Sequence, residues 1–285
     1  MAYESLRRIV VWADGSAEAA HTTGWAAVHA AARALPLHVV HVAGSGSLAE
    51  TGRTGTGGAD FAARNQTAPD AVRLAQEVRR IRETHPDLAV TVEVLEDATP
   101  LQCRPSAAPG DLLVANTSGF LRLTASGAAD DVGKHQPGPI VVVPDGPPDE
   151  TRGAARSRLL LVTGPRLSPG TAAFAFAAAA DLGATLDVVR VAPQDGAFGD
   201  DYWIDAGRSP YRAESRLQNE LAKLRARFPT VPGVTATLRT RPWATLRTMA
   251  RSTYLAVLGG GPDAGRDLKA LLEIAGCPVA VIPES

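Results

Sequence analysis

Cysteine is nearly missing from this sequence: Cys103 and Cys277 are the two in 285 residues. Their separation makes neither a C-x-x-C pair nor metal-ligand spacing, so two buried thiols in a reducing compartment are expected. The six histidines are scattered and form no H-E-x-x-H pattern, so no metal site is indicated. Neither sign of charge is in excess, and the net charge of −1 gives no electrostatic basis for binding nucleic acid or an anionic membrane. Long apolar runs are missing too. The most apolar helical stretch, around Thr171 to Leu182, falls short of the roughly 20 residues that span a bilayer. Met1 to Arg8 leads directly into a strand and leaves no room for a signal peptide, so a cytoplasmic protein is expected. Catalytic signatures are equally scarce: there is no P-loop Gly-Lys-Ser/Thr, no G-x-S-x-G elbow and no pair of carboxylates around a histidine. His41 is a candidate base, but nothing near it looks like its substrate. An enzyme is not expected.

What the sequence does have is the apolar content of a globular protein, 45% against 21% charged, and one organising stretch. Ile9-Val10-Val11-Trp12-Ala13 climbs without alternation into Asp14-Gly15-Ser16, which predicts a strand buried on both faces followed by a tight turn. Ser16 is a good N-cap for the alanine-rich segment behind it. The turn then sits at the carboxyl end of a parallel strand, where open α/β sheets bind ligands. Trp12 and Asp14, two residues apart, share a strand face.

The sequence also contains itself twice. Leu37–Ala43 recurs as Leu186–Ala192, and Arg8–Trp12 as Arg158–Val162. Asp111–Val114 matches Tyr254–Val257, and Pro139–Pro144 matches Pro278–Pro283. Matches in one order mark an internal repeat, divided by the Pro/Gly-rich hinge Asp145–Gly153. Domains are therefore placed at 1–145 and 154–285. Strands are predicted near 8–13, 37–43, 89–95, 111–115 and 139–144, then near 158–163, 186–192, 234–240, 254–258 and 278–282. Helices are predicted near 17–34, 69–84 and 125–134, then near 169–182, 211–228, 242–251 and 263–275. Three prolines in 99–109 leave only a short or broken helix there. Alternating β and α predicts a parallel, doubly covered sheet in each half. Two long loops, 44–66 and 193–210, follow the second strand of each half.

With these motifs in order twice over, the chain resembles a tandem universal stress protein. The likeness rests on Ile9–Ser16, Val39–Val42, Asp111–Val114, Pro139–Pro144 and Cys277–Pro283. It implies two Rossmann-like, five-stranded α/β domains packed as a pseudo-dimer through their closing strands, with further homodimerisation left open. Burial of the valine-rich edges of those strands favours such packing. The resemblance also implies a regulatory or protective stress role, through an unidentified protein partner or small ligand.

Some members of that family bind ATP through Gly-x2-Gly-x9-Gly-Ser/Thr after the fourth strand, where glycines admit backbone amides to the phosphates and a helix start favours anions. Here that place reads Asn116 to Ala128. Asn116 replaces the first glycine, Gly119 matches the second, and seven residues instead of nine precede Gly127. Ala128 stands where the hydroxyl belongs. In the second half Gly164 replaces Asp14, and Gly259-Gly260-Gly261 leads straight into a helix with Asp263 as its cap. The favoured expectation is that no cofactor is required. The alternative is an ATP sensor with one site, in the first domain only. By the resemblance, Asp14 and Val42 would meet the base and ribose, and Asn116, Gly119 and Gly127 the phosphates.

Trp12 weakens that alternative, because a small residue usually stands there beside the base, and an indole fills the same volume. ATP binding is therefore expected to be weak or missing, and confined to the first half. Each lost hydrogen bond to a charged oxygen costs roughly 1.5–3 kcal/mol, and two such losses turn a micromolar ligand into a millimolar one. Calorimetry should show higher ATP affinity in Trp12→Gly than in the parent. Tight binding by the parent that Trp12→Gly weakens would mean that the indole stacks on the base.

Overall fold

A computed structural model describes residues 6–13, 16–43, 69–96, 108, 110–124, 138–145, 158–164, 167–191, 210–238, 242–260, 268, 271–272 and 276–283. They fall into two compact units, one within 6–128 and 140–148, the other within 129–139 and 149–285.

The first unit runs β1 (Arg8–Ala13), α1 (Ala17–Ala32), β2 (Leu37–Ala43), α2 (Pro69–Thr84), β3 (Val90–Glu96), β4 (Asp111–Asn116), α3 (Thr117–Thr124) and β5 (Ile140–Val143). Its strands are parallel in the order β3-β2-β1-β4-β5. The second unit runs β6 (Arg158–Thr163), α4 (Pro169–Leu182), β7 (Thr185–Val191), α5 (Pro210–Arg227), β8 (Thr235–Leu238), α6 (Pro242–Arg251), β9 (Leu255–Gly260) and β10 (Val279–Pro283). Its strands are also parallel, in the order β8-β7-β6-β9-β10. Both units thus have one topology, and the α/β fold expected from the repeat is the one observed. Most strand and helix ends differ from the sequence expectation by a residue or two, the ordinary ambiguity of fraying termini.

Two expectations need correcting. The stretch after β4 was expected to be an open glycine loop ahead of a helix at 125–134. It is helix α3 from Thr117 onward, because Asn116 serves as a helix cap and not as a substitute loop glycine. The glycine turn expected from Gly259 likewise begins inside the strand, since Gly259 and Gly260 pair with Ile282 and Pro283. The expected helix at 125–134, both long loops but for Pro210, the hinge beyond Asp145, and 99–109 apart from Ala108 lie outside the described residues.

The first core is built on β1, where Ile9, Val10 and Val11 are almost fully buried. Helix α1 packs beside it, with Ala26, Ala27 and Ala30 buried. Thr22 and Thr23 are also buried, and each hydroxyl donates to a carbonyl one turn back, Glu18 at 3.0 Å and Ala19 at 2.7 Å. Alanines and a glycine let α2 approach α1 closely. A Cβ at Gly24 would stand 3.1 Å from Arg80 Nη2 and 3.3 Å from Glu77 Oε1. The Glu77 carboxylate accepts both hydrogen bonds of that guanidinium, at 3.0 and 2.6 Å, which raises the Arg80 pKa above its ordinary value.

The helices that follow the first strand of each unit end alike. After α1, Leu35 N–H bonds Ala30 C=O and Ala34 sits at φ 51°. After α4, Ala184 N–H bonds Ala179 C=O and Gly183 sits at φ 60°. This is the left-handed helix stop in which glycine carries no Cβ penalty. The second unit has the glycine; the first imposes that backbone on alanine. Ala34→Gly should therefore raise stability by about 1 kcal/mol and Gly183→Ala lower it by about as much. Thermal unfolding followed by circular dichroism checks both signs.

Candidate functional site

In the first unit the chain order reverses between β1 and β4, so the crevice outside their carboxyl ends is the place where an α/β sheet takes a ligand. Ala13 ends β1 and Asn116 ends β4. Ser16 caps α1 there, its Oγ accepting from Ala19 N at 3.1 Å. His41 closes the same edge from β2: it is buried, and its Nδ1 lies 3.0 Å from the Ala13 carbonyl oxygen. A carbonyl only accepts, so Nδ1 carries the hydrogen. His41 is thus a staple on the end of β1, placed where the sequence offered it as a base.

The expected ligand residues divide between the two faces of the sheet. Trp12 lies level with Val40 on β2 and is only 9% exposed, so its indole is part of the core. Val42 continues β2 opposite Leu95 of β3. Val11 pairs with Val114, which puts Asn116 at an odd offset from Trp12 and turns its side chain to the other face. Asp14 and Gly127 lie outside the described residues.

Asn116 and Gly119 do come together, as helix cap and helix. Asn116 Oδ1 accepts from Gly119 N at 2.8 Å, and a Cβ at Gly119 would collide with that same oxygen. Sequence reasoning missed the other cap. The Asp145 carboxylate, two residues past β5, accepts from Ser118 N at 3.0 Å and from Ser118 Oγ at 2.6 Å. Thr117 Oγ1 donates to Val143 C=O at 3.4 Å. The donors with which the start of α3 would hold an anion are thus taken by the chain's own oxygens, one of them charged. A carboxylate directly behind the closing strand was the signal, but Asp145 read as the first residue of a hinge.

Two further polar groupings were not foreseen. On β2 and β3, His38 Nδ1 lies 2.8 Å from Thr91 Oγ1 and its Nε2 lies 2.9 Å from Glu93 Oε2. Hydroxyl, imidazole and carboxylate in a row suit proton relay as chemistry, yet here they stitch two neighbouring strands. In the second unit, Arg190 of β7 is buried at the position of His41 in the repeat, and its Nη2 bonds Glu220 Oε2 of α5 at 2.6 Å. It lies level with Thr163 and Thr237 on the flanking strands.

Residues 5–144 match the model of the universal stress protein family. This half of the chain belongs to that family. The family is one of the stress response, and the second unit repeats the same topology. Among solved structures, a universal stress protein from Archaeoglobus fulgidus superposes with a TM-score of 0.62 at 11% identity, covering 99% of this chain and 98% of that one. The cytoplasmic domain of a prokaryotic cation chloride cotransporter gives 0.55 at 13% identity, with 98% and 96% covered. A functionally unknown protein from Pseudomonas aeruginosa gives 0.55 at 14%, with 98% and 93% covered. At such identities these likenesses speak to fold alone. No curated protein matches the sequence. Among the described residues no helix is long and apolar enough to cross a membrane.

The two caps are separable by mutation. Asn116→Ala should cost about 1–2 kcal/mol, because it leaves a buried amide without an acceptor. Asp145→Ala acts on an exposed cap and should cost about 0.5–1 kcal/mol. Urea unfolding midpoints of the variants against the parent check the order.

Proposed function

We propose that this universal stress protein acts without catalysis and without a nucleotide cofactor, in a regulatory or protective role exerted by binding a partner or small ligand. The observation that carries this reading is the occupation of the α3 start. Asp145 takes the amide and hydroxyl of Ser118, and Asn116 takes the amide of Gly119. A phosphate at that place would have to displace a carboxylate that is covalently part of the chain and so present at high effective concentration. It would then gain those same amides, less the cost of freeing Asp145. The buried Trp12 side chain works in the same direction, since a base lying on that face would have to displace an indole from the core.

The His38 row does not argue for an enzyme. Both ring nitrogens are engaged by residues of the neighbouring strand, and Thr91 and Glu93 are fixed two apart on one strand face. Cross-strand pairing of this kind is an ordinary stabiliser of sheets.

The test is direct. Mass spectrometry of the protein as purified should detect no bound nucleotide, and ATP titration in the calorimeter should give no saturable heat to about 1 mM. If ATP binds with micromolar affinity and Asp145→Ala leaves that affinity unchanged, the α3 start is not what decides binding and the chain is a nucleotide sensor.

A further inference from the structure

One edge of the first sheet is built to be paired. Among the described residues, β3 hydrogen-bonds β2 on one side only. Ala89 C=O points to β2, where it accepts from Leu37 N at 2.9 Å. Backbone direction alternates along a strand, so the amides and carbonyls of Val90, Val92 and Val94 point the other way. Arg82 of α2 marks that side by donating to the Val90 carbonyl at 3.2 Å, which leaves that oxygen a second lone pair. The residues with outward backbone groups are also the apolar ones. Val92 is 43% and Val94 50% exposed. Val92 forms one wall of a groove of about 570 Å³ whose other wall is Leu74, Val78, Arg79 and Arg82 of α2. A backbone edge beside an apolar groove is the arrangement that takes an added strand.

We propose that the occupant is β3 of a second copy of this chain, antiparallel about a two-fold axis through Val92. The choice follows from self-complementarity. With the axis on Val92, Val92 faces itself, Val90 faces Val94 and Thr91 faces Glu93. The outward-pointing backbone groups of Val90, Val92 and Val94 then fall into hydrogen-bonded pairs. All the valines lie on the groove side of the extended sheet, and no like charges stand opposite one another. Moving the axis to Glu93 would set two carboxylates side by side, which is destabilising. In the favoured register Glu93 keeps His38 as its partner within its own chain, at 2.9 Å. An isologous contact of this kind closes on itself and gives a dimer, with no propagating filament.

The test uses the full chain. Sedimentation at about 100 μM should give a dimer of the 29.7 kDa polypeptide, a concentration that reports affinities weaker than micromolar. Val94→Lys should raise the dissociation constant at least about tenfold while the circular dichroism spectrum and melting temperature stay those of the parent. Val92→Cys should form an intermolecular disulfide on mild oxidation, because Cα atoms of a hydrogen-bonded antiparallel pair lie about 5.5 Å apart, within disulfide range. Val72→Cys on α2, exposed to a similar degree at 42%, should not. A monomeric parent at 100 μM would overturn the proposal, and so would a dimer that Val94→Lys leaves intact and Val92→Cys fails to link. Neither result bears on nucleotide binding, which concerns the carboxyl ends of β1 and β4 and the start of α3.

Discussion

β1 must be covered on both faces, and the first unit is arranged to meet that demand. A central parallel strand has no solvent side, so Ile9 and Val11 on one face and Val10 and Trp12 on the other all need apolar neighbours. Burying a side chain of this size contributes roughly 1.5–3 kcal/mol, and each of these four is at most 9% exposed. The helix that follows β1 is nearly all small residues where it meets the sheet, which lets it lie close over β1, β2 and β4. The indole of Trp12 takes up volume on the other face. Ligand capacity at the end of β1 is thus limited by the same packing that makes the strand stable.

Several charged and polar side chains of this scaffold are paired where strands begin or end. At the start of β1, Arg8 bonds the buried Asp111 of β4 at 2.9 Å, and Ala108 N–H reaches that same carboxylate at 2.7 Å. At the start of β6, Arg158 bonds the buried Asp187 at 3.3 Å. The two units therefore solve one problem with different strands. They diverge at the other end: where the first unit has His41 on the Ala13 carbonyl, the second buries Arg190 against Glu220. Removing one member of a buried ion pair costs far more than replacing both, so Arg190 commits the second unit to keeping a carboxylate on α5.

The strands and longer helices were legible because their signals are local. Runs such as Leu159-Leu160-Leu161-Val162, and the proline-led helices at Pro69, Pro169 and Pro242, announce themselves within one window. The repeat then supplied the topology. The candidate site was legible only in part. Asn116 tolerates left-handed geometry and also caps helices, and the family comparison favoured the first property where the fold uses the second. Asp145 meets Ser118 across 27 positions, and His38 meets Glu93 across 55. Such pairs depend on strand register, which no local pattern carries. Position in the repeat set Arg190 beside His41, but its burial follows from the packing of α5, a tertiary fact.

The two units handle their outer strands differently, and the difference is physical. β8 is four residues long, carries Thr235 and Thr237, and is half-buried throughout. Two residues before it, Gly233 is packed so closely on the Leu186 carbonyl that a Cβ there would overlap it, which pins the start of the strand to β7. Short, polar and pinned edges are ways in which sheets avoid unwanted pairing. β3 has none of these features: it is seven residues long, alternates valine with Thr91 and Glu93 over its first five positions, and leaves Val92 and Val94 exposed. Among the described residues its guard is Arg82, and one guanidinium on one carbonyl leaves the backbone groups of Val92 and Val94 open. The second unit blunts its outer strand thoroughly and the first leaves its own long and apolar, which accords with β3 being an edge kept for pairing, because the same devices were within reach of both.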